Sequence, residues 1–298
     1  MSIGIAVLLA NQTFPNDPRY KAAWDSQLAF IEYDIPRTGE GAISHRVSEV
    51  QLWADSCFMV PPSLAYWGAL QTDLEVSKDY LTKAYEQLRL YRDVLRDQST
   101  NNGLWHHVIF GSWSDPRHWT TGHGWAVAGI LRVHQTIAKS ALRDELSWML
   151  PNLVSWAQEI VGAVWQFQRA DGSLYNYLDE DSSFTDMSGT AFMAAVTYRL
   201  AMIGDATHFI ENADRAFALV KTKIAADGRL MDVVNPYDFT NPYSDVSPEG
   251  NAMALMLQAA HRDYSGFSKS IHNGLADVFS AFAKAIEAAK NLDSESST

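Results

Sequence analysis

GWAVAGILRVHQTI, residues 124–137, and GTAFMAAVTYRLAMI, residues 189–203, carry apolar or small side chains on nearly every face of a helix. A helix of that kind has no side for water and is buried all round. FMVPPSLAYWGAL (58–70), GNAMALMLQAA (250–260) and SIGIAVLLA (2–10) read the same way. The segments between them differ. In residues 73–97 the apolar positions Val76, Tyr80, Leu81, Ala84, Leu88, Tyr91 and Leu95 form one stripe, with charges on the other face. Similar stripes run over 18–33, 151–168, 206–225 and 268–290. Buried helices thus alternate with striped ones, which predicts an inner layer ringed by an outer layer. The inner starts near 53, 121, 188 and 248 recur every ~60–70 residues, the mark of helical hairpin repeats. The expected fold is all-α, an (α/α)6-type toroid of helical hairpins that lacks an N-terminal outer helix. Residues 1–290 read as one domain and 291–298 as a polar tail.

Composition narrows the function classes. The 298 residues carry a net charge of −12, and no lysine or arginine cluster interrupts the acidity. Nucleic acid and anionic membranes, which need basic patches, are excluded as partners. Ten tryptophans offer flat apolar faces with one donor each. They suit a sugar ring and a hydrophobic core equally. Cys57 stands alone in an apolar run and reads as a small buried hydrophobe. The opening MSIGIAVLLANQ lacks a basic n-region, so it is a poor signal peptide, and a cytoplasmic location is favoured over a secreted one. No His-x-x-x-His or Glu-x-x-His spacing, phosphate-binding glycine loop or G-x-S-x-G elbow is present. Neither a cofactor nor a metal is expected.

Polar signals precede the inner helices: LWADS, SDPRHWTTGHG, FTDMSGT and DVSPEGN. Ser188 and Ser247 suit an N-cap, Pro248 the first helical position, and Asp186 and Glu249 the positive end of the dipole. Another start falls near Thr120 or Thr121, capped by a hydroxyl. In a toroid these ends converge at one mouth. Asp115 precedes Pro116, which drives it into extended backbone above an inner helix. Trp113, Trp119 and Trp125 crowd it. Burial against indole raises a carboxyl pKa and a helix N-terminus lowers it. If burial prevails, Asp115 is a general acid; the alternative is a plain Asp-Pro turn. Asp55, entering an apolar helix, caps it, pairs or works. His45, His107 and His123 can reach the same mouth.

The ordered set of these segments resembles the unsaturated glycuronyl hydrolases, glycoside hydrolase family 105 and the related family 88. It comprises Trp53-Ala54-Asp55 through Met59, Gly103-Leu104 with His107, Trp113-Ser114-Asp115-Pro116, Trp119 to Trp125, and Ser188-Gly189-Thr190-Ala191. The resemblance implies an (α/α)6 barrel. It also implies removal of a 4,5-unsaturated uronic acid from the non-reducing end of lyase-generated oligosaccharides, typically rhamnogalacturonan fragments of pectin. In that chemistry an acid protonates carbon 4, water adds at carbon 5, and the hemiketal opens. Asp115 and Asp55 match the catalytic pair; His45, Trp53, Met59, His107, Trp113, Trp119, His123, Trp125 and Ser188 fall among the substrate-binding positions. The family often carries arginine at the position of Thr121 and asparagine at that of His123. Its histidine near the sugar has a counterpart in SLYNYLDE, at Tyr175 or Asn176. Two rival readings remain: an inverting glycosidase acting on saturated oligosaccharides, and a non-catalytic carbohydrate-binding toroid.

Overall fold

A computed structural model describes residues 1–100, 103–204 and 206–270. The helices are α1 (Gly4–Thr13), α2 (Pro18–Ala29), α3 (Ser56–Met59), α4 (Pro61–Ala69), α5 (Leu74–Leu95), α6 (Thr120–Lys139), α7 (Met149–Trp165), α8 (Met187–Ala201), α9 (Ile210–Thr222) and a tenth, α10, over 248–270. α6 and α8 are the buried helices the apolar runs predicted, and they pack on each other. Ile130, Val133 and Ile137 of α6 are sealed from solvent, each contributing about 1.5–3 kcal/mol by burial. α4, α6 and α8 are each followed by a striped partner, α5, α7 and α9, that packs against them. In α5 the buried residues include Leu81, Ala84, Leu88, Tyr91 and Leu95, most of the expected stripe. The result is a helical toroid of inner and outer hairpins.

Close approach inside the toroid depends on glycine. A Cβ at Gly129 of α6 would lie 2.1 Å from the Cys57 carbonyl oxygen, so no other residue lets α3 touch α6. Cys57 is fully buried there, and burial pushes its thiol pKa up, leaving it inert.

Some sequence expectations change. α1 is not buried all round: Gly4 and Leu8 are buried, while Leu9 is 54% exposed. In α10 Leu255 is 72% exposed, so that helix too has a solvent face. α10 also runs unbroken to 270, across the expected start of an outer helix at 268; the rest of the 268–290 stripe, and the tail at 291–298, lie outside the described residues. α6 starts at Thr120 as expected, but no side chain caps it; Thr120 Oγ1 donates to the Tyr175 carbonyl instead. α8 is capped by Asp186 rather than Ser188, because the longer carboxylate reaches Ser188 N (2.9 Å) and Gly189 N (2.8 Å) together. Ser247 does cap α10, accepting from Gly250 N at 3.0 Å. Among the described residues no helix is long and apolar enough to cross a membrane.

Short strands are the feature that helical periodicity missed. β1 (Gln51–Trp53) pairs antiparallel with β2 (Val108–Phe110), Trp53 opposite Val108. β3 (Val233–Asn235) pairs with β4 (Asp238–Tyr243). Three residues are too few to show a period of two. They decide the site nonetheless.

Candidate active site

β1 ends two residues before Asp55, and β2 begins one residue after His107. The Ala54 N–H donates to the His107 carbonyl at 2.9 Å, which fixes one against the other. On its other side Val108 pairs with Asp115 through two backbone hydrogen bonds of 2.8 and 2.9 Å. The turn between them passes through Phe110 and Gly111, both at positive φ. A Cβ on Gly111 would also meet Gln51 Nε2 at 2.8 Å, which is why glycine stands there. Three short extended segments therefore bring Asp55, His107 and Asp115 together.

The His107 ring lies between the two aspartates. Its Nδ1 is 3.0 Å from Asp115 Oδ2, and its Nε2 is 3.7 Å from Asp55 Oδ2. A carboxylate only accepts, so Nδ1 carries the proton, and in the neutral ring Nε2 is then an acceptor. Asp55 Oδ2 and His107 Nε2 are both buried without a hydrogen-bond partner. Asp55 occupies the N-cap position of α3, but its side chain does not cap. Capping therefore does not account for it.

Asp115 is the opposite case. It is 5% exposed and accepts from His107, from Arg117 Nε at 2.6 Å and from Tyr177 OH at 2.9 Å. Burial alone would raise its pKa, but the hydrogen bonds from His107 and Arg117, with that of Tyr177, outweigh it and hold the carboxyl well below its ordinary range. The expectation of an acid kept protonated by indole thus gives way to an ionised carboxylate in this state. Tyr177 is driven the other way, by burial first and then by the Asp115 charge, and stays a donor.

Aromatic rings wall this group. Trp119 lies 4.4 Å from His107, Phe239 4.6 Å and Trp53 5.3 Å, centroid to centroid. Trp113 packs edge-on against Trp53 at 5.4 Å and is 40% exposed, offering an open face. His45 stacks on Trp53 at 4.5 Å and bonds Ser56 Oγ through Nδ1; burial lowers its pKa despite the Asp55 charge. Met59, half-buried at the end of α3, takes no part in the hydrogen bonds of the group. Trp125 packs on Phe58 and Phe192 and also reaches the cluster of Trp119 and Tyr177.

Two of the sequence candidates face inward. His123 is 1% exposed, takes the Trp105 N–H on Nε2 at 2.9 Å and gives Nδ1–H to the Trp119 carbonyl at 2.7 Å. Burial lowers its pKa to about 3, so it is a neutral backbone brace. Ser188 is equally buried and donates to Asp186. Thr121 Oγ1 donates to the other Asp186 oxygen at 3.0 Å, tying α6 to α8.

Three residues of the candidate site escaped the sequence reading, and a fourth was read only as a helix-end acid. Tyr177, one position beyond the pair suspected in SLYNYLDE, is the group that reaches Asp115; Asn176 instead holds Trp119 Nε1 at 2.8 Å. Arg117 supplies a cation absent at Thr121. Phe239 comes from β4, far along the chain. Glu249, at the start of α10, is pushed up to about 7, chiefly by burial and then by the charges of Asp55 and Asp186. Only Glu249 had drawn notice, as a helix-end acid.

Glu249 makes a measurable prediction. Its folded pKa exceeds its unfolded value, so the folded state holds an extra proton between about pH 4.5 and 7. Stability contributed by that proton is full below this window and is lost as the pH rises through it. Relative to the wild type, Glu249→Gln is expected to gain up to about 3 kcal/mol between pH 5 and 8. Urea melts at the two pH values read this directly; parallel stability curves would exclude a buried, protonated Glu249.

Comparison with known proteins agrees with the fold. No curated protein sequence matches the chain. Among solved structures, a possible member of the GH105 family from Salmonella enterica superposes with a TM-score of 0.73 at 21% identity, over 87% of this chain and 70% of that one. A family 105 glycoside hydrolase from C. acetobutylicum gives 0.69 at 17%, over 88% and 78%. The unsaturated glucuronyl hydrolase of Bacillus sp. GL1 gives 0.55 at 16%, over 73% and 59%. The sequence profile of Glycosyl Hydrolase Family 88 matches residues 2–261, nearly all that is described, and the chain belongs to that family of glycoside hydrolases.

Proposed function

We propose that the protein removes a terminal 4,5-unsaturated uronic acid from lyase-generated oligosaccharides by Asp115-dependent hydration of the double bond. The observation that carries this reading is the shared imidazole: His107 faces a fully bonded Asp115 on one side and an unpartnered Asp55 on the other. An ordinary glycosidase sets two carboxylates on one bond; here an imidazole stands between them, 3.0 Å from Asp115 Oδ2 and 3.7 Å from Asp55 Oδ2. A hydration needs one acid and a water, with the other acid to orient them.

Substrate binding can restore the protonated form of Asp115, the proton being taken up from solvent. The Arg117 guanidinium lies over the Tyr177 ring at 3.8 Å, with a side chain 38% exposed. Its contact with Asp115 uses one of five donors. A uronate carboxylate docking on the remaining donors shares the cation and adds a like charge beside Asp115. Both effects raise the Asp115 pKa. The acid is then formed where carbon 4 is presented. Afterwards its carboxylate takes the proton of the attacking water. Asp55 Oδ2 and His107 Nε2, two adjacent acceptors, suit the hydroxyls of the sugar ring or that water. Trp113 and Phe239 provide the stacking faces.

Rhamnogalacturonan fragments are the preferred candidate, although elimination erases the carbon-4 difference between galacturonate and glucuronate. Incubation with lyase-treated rhamnogalacturonan and with lyase-treated glucuronate polymers is expected to bleach the conjugated ultraviolet absorbance of at least one. Arg117→Gln is expected to raise KM at least tenfold. Turnover of saturated oligosaccharides with no bleaching of unsaturated ones would favour an inverting glycosidase, and binding without turnover would favour a carbohydrate-binding toroid.

A further inference from the structure

Behind the hairpin that carries Asp115 lies a second cluster, formed by Asp97, His106 and His118. One ligand atom from each lies within 4.8 Å of the others. Asp97 follows α5, His106 precedes His107, and His118 follows Arg117. Asp97 is 4% exposed and His118 is 6% exposed.

The tautomers of both histidines are dictated by their outer partners. His106 Nδ1 is 2.6 Å from the Pro116 carbonyl oxygen, and His118 Nδ1 is 2.8 Å from Asp179 Oδ2. Each partner can only accept, so each Nδ1 carries a proton. In the neutral rings both Nε2 atoms then present lone pairs. His118 Nε2 is buried with no hydrogen bond, yet it sits 3.2 Å from Asp97 Oδ2. His106 Nε2 is 3.8 Å from Asp97 Oδ1, too far for a direct hydrogen bond. The two rings stack at 5.7 Å. Lone pairs aimed at a carboxylate repel unless a positive charge lies between them. Two protons would place two imidazolium rings face to face. Asp97 already accepts from Ser99 N–H (2.8 Å) and Ser99 Oγ (2.7 Å) on Oδ1 and from Thr100 Oγ1 (3.1 Å) on Oδ2, so the lone pair left for an ion is on Oδ2, beside His118 Nε2. One divalent ion there satisfies the two imidazole nitrogens and that oxygen together.

We infer that Asp97, His106 and His118 form a site for a divalent transition-metal ion of the zinc class, which clamps both ends of the 106–118 hairpin to the end of α5. The spacings fit. Two ligand atoms each about 2.0 Å from a tetrahedral ion lie about 3.3 Å apart. Imidazole donors favour such an ion over magnesium or calcium. Asp179 and the Pro116 carbonyl would then be the outer partners that orient metal-bound histidines. Three protein ligands leave a fourth position to water. The clamp is a positioning device, since neither histidine touches Asp115 or Asp55. It acts through their sequence neighbours His107 and Arg117, both bonded to Asp115.

The test uses tag-free, full-length protein stripped with a chelator and titrated with Zn2+ alone by calorimetry and with Co2+ by visible absorption. One equivalent is expected, with cobalt d–d bands of a tetrahedral nitrogen–oxygen site and a raised melting temperature. Asp97→Asn and His106→Gln, checked for fold by circular dichroism, are expected to weaken Zn2+ binding at least 100-fold; Asp179→Asn is expected to weaken it about tenfold. Absence of saturable one-to-one binding to the wild type overturns the proposal without recourse to any variant. So does binding that Asp97→Asn and His106→Gln leave unchanged, which would place the ion elsewhere.

Discussion

Asp115→Asn is expected to lower turnover of unsaturated oligosaccharides by about 10³–10⁴-fold, the scale of losing a positioned acid–base group. The amide matches the carboxylate in volume and still accepts from Tyr177 OH, now 2.9 Å from Oδ2. What vanishes is the charge opposite Arg117 and the capacity to exchange a proton with carbon 4. The fold should survive, because the backbone pairing of Asp115 with Val108 is independent of the side chain. The variant should also differ in acid. Folding depresses the Asp115 pKa, so the wild type loses stability as the pH falls below the ordinary carboxylate range. Asp115→Asn lacks that component. Initial rates by ultraviolet bleaching, with circular dichroism as the folding control, give the answer; activity within tenfold of wild type would remove Asp115 from the chemistry.

Asp55→Asn is expected to separate activity from stability. Asp55 Oδ2 and His107 Nε2 lie buried 3.7 Å apart without a hydrogen-bond partner, and with a neutral imidazole both are acceptors. A buried group left unsatisfied costs about 1–3 kcal/mol. An asparagine amide offers the His107 nitrogen a donor and removes a negative charge beside Glu249. A rise in melting temperature of about 2–4 °C per kcal/mol recovered is expected, with a loss of at least 100-fold in kcat. This is the trade expected where an active site is kept at a cost to stability. Glu249 supplies an independent readout: without the Asp55 charge its pKa should fall from about 7. A variant both less stable and fully active would show that Asp55 is a structural residue.

The candidate site is legible in the sequence only in part. Asp55, His107 and Asp115 were legible because each sits in a short polar interruption of apolar helix, where a charged or aromatic residue has few structural duties. His123 and Ser188 sit in the same interruptions. Their burial against the Trp119 carbonyl and Asp186 could not be told from the mouth-facing positions by spacing. Arg117 carries no signal of its own, since a lone arginine in a loop reads like any surface cation. Phe239 had no local signal at all, since its role depends on β4 folding over the mouth, and SLYNYLDE marked the segment before α8 without telling Tyr177 from its neighbours.

The sequence by itself determined the layers. Apolar runs without a polar face, alternating with striped helices, can bury their surface only as inner and outer shells, and α6 with α8 and α5 with its stripe follow that rule. Helix periodicity is a local property, so it survives translation from chain to fold. Only the tertiary structure decided which acids are charged and which histidines are braces. A pKa and a tautomer are set by groups within a few ångströms, and here those groups come from two residues away, as Arg117 from Asp115, to about 190, as Asp55 from Glu249. The three-residue strands β1 and β2 do the joining. They are too short to announce themselves, yet they set Asp115 against His107 and Arg117, and His107 against Asp55.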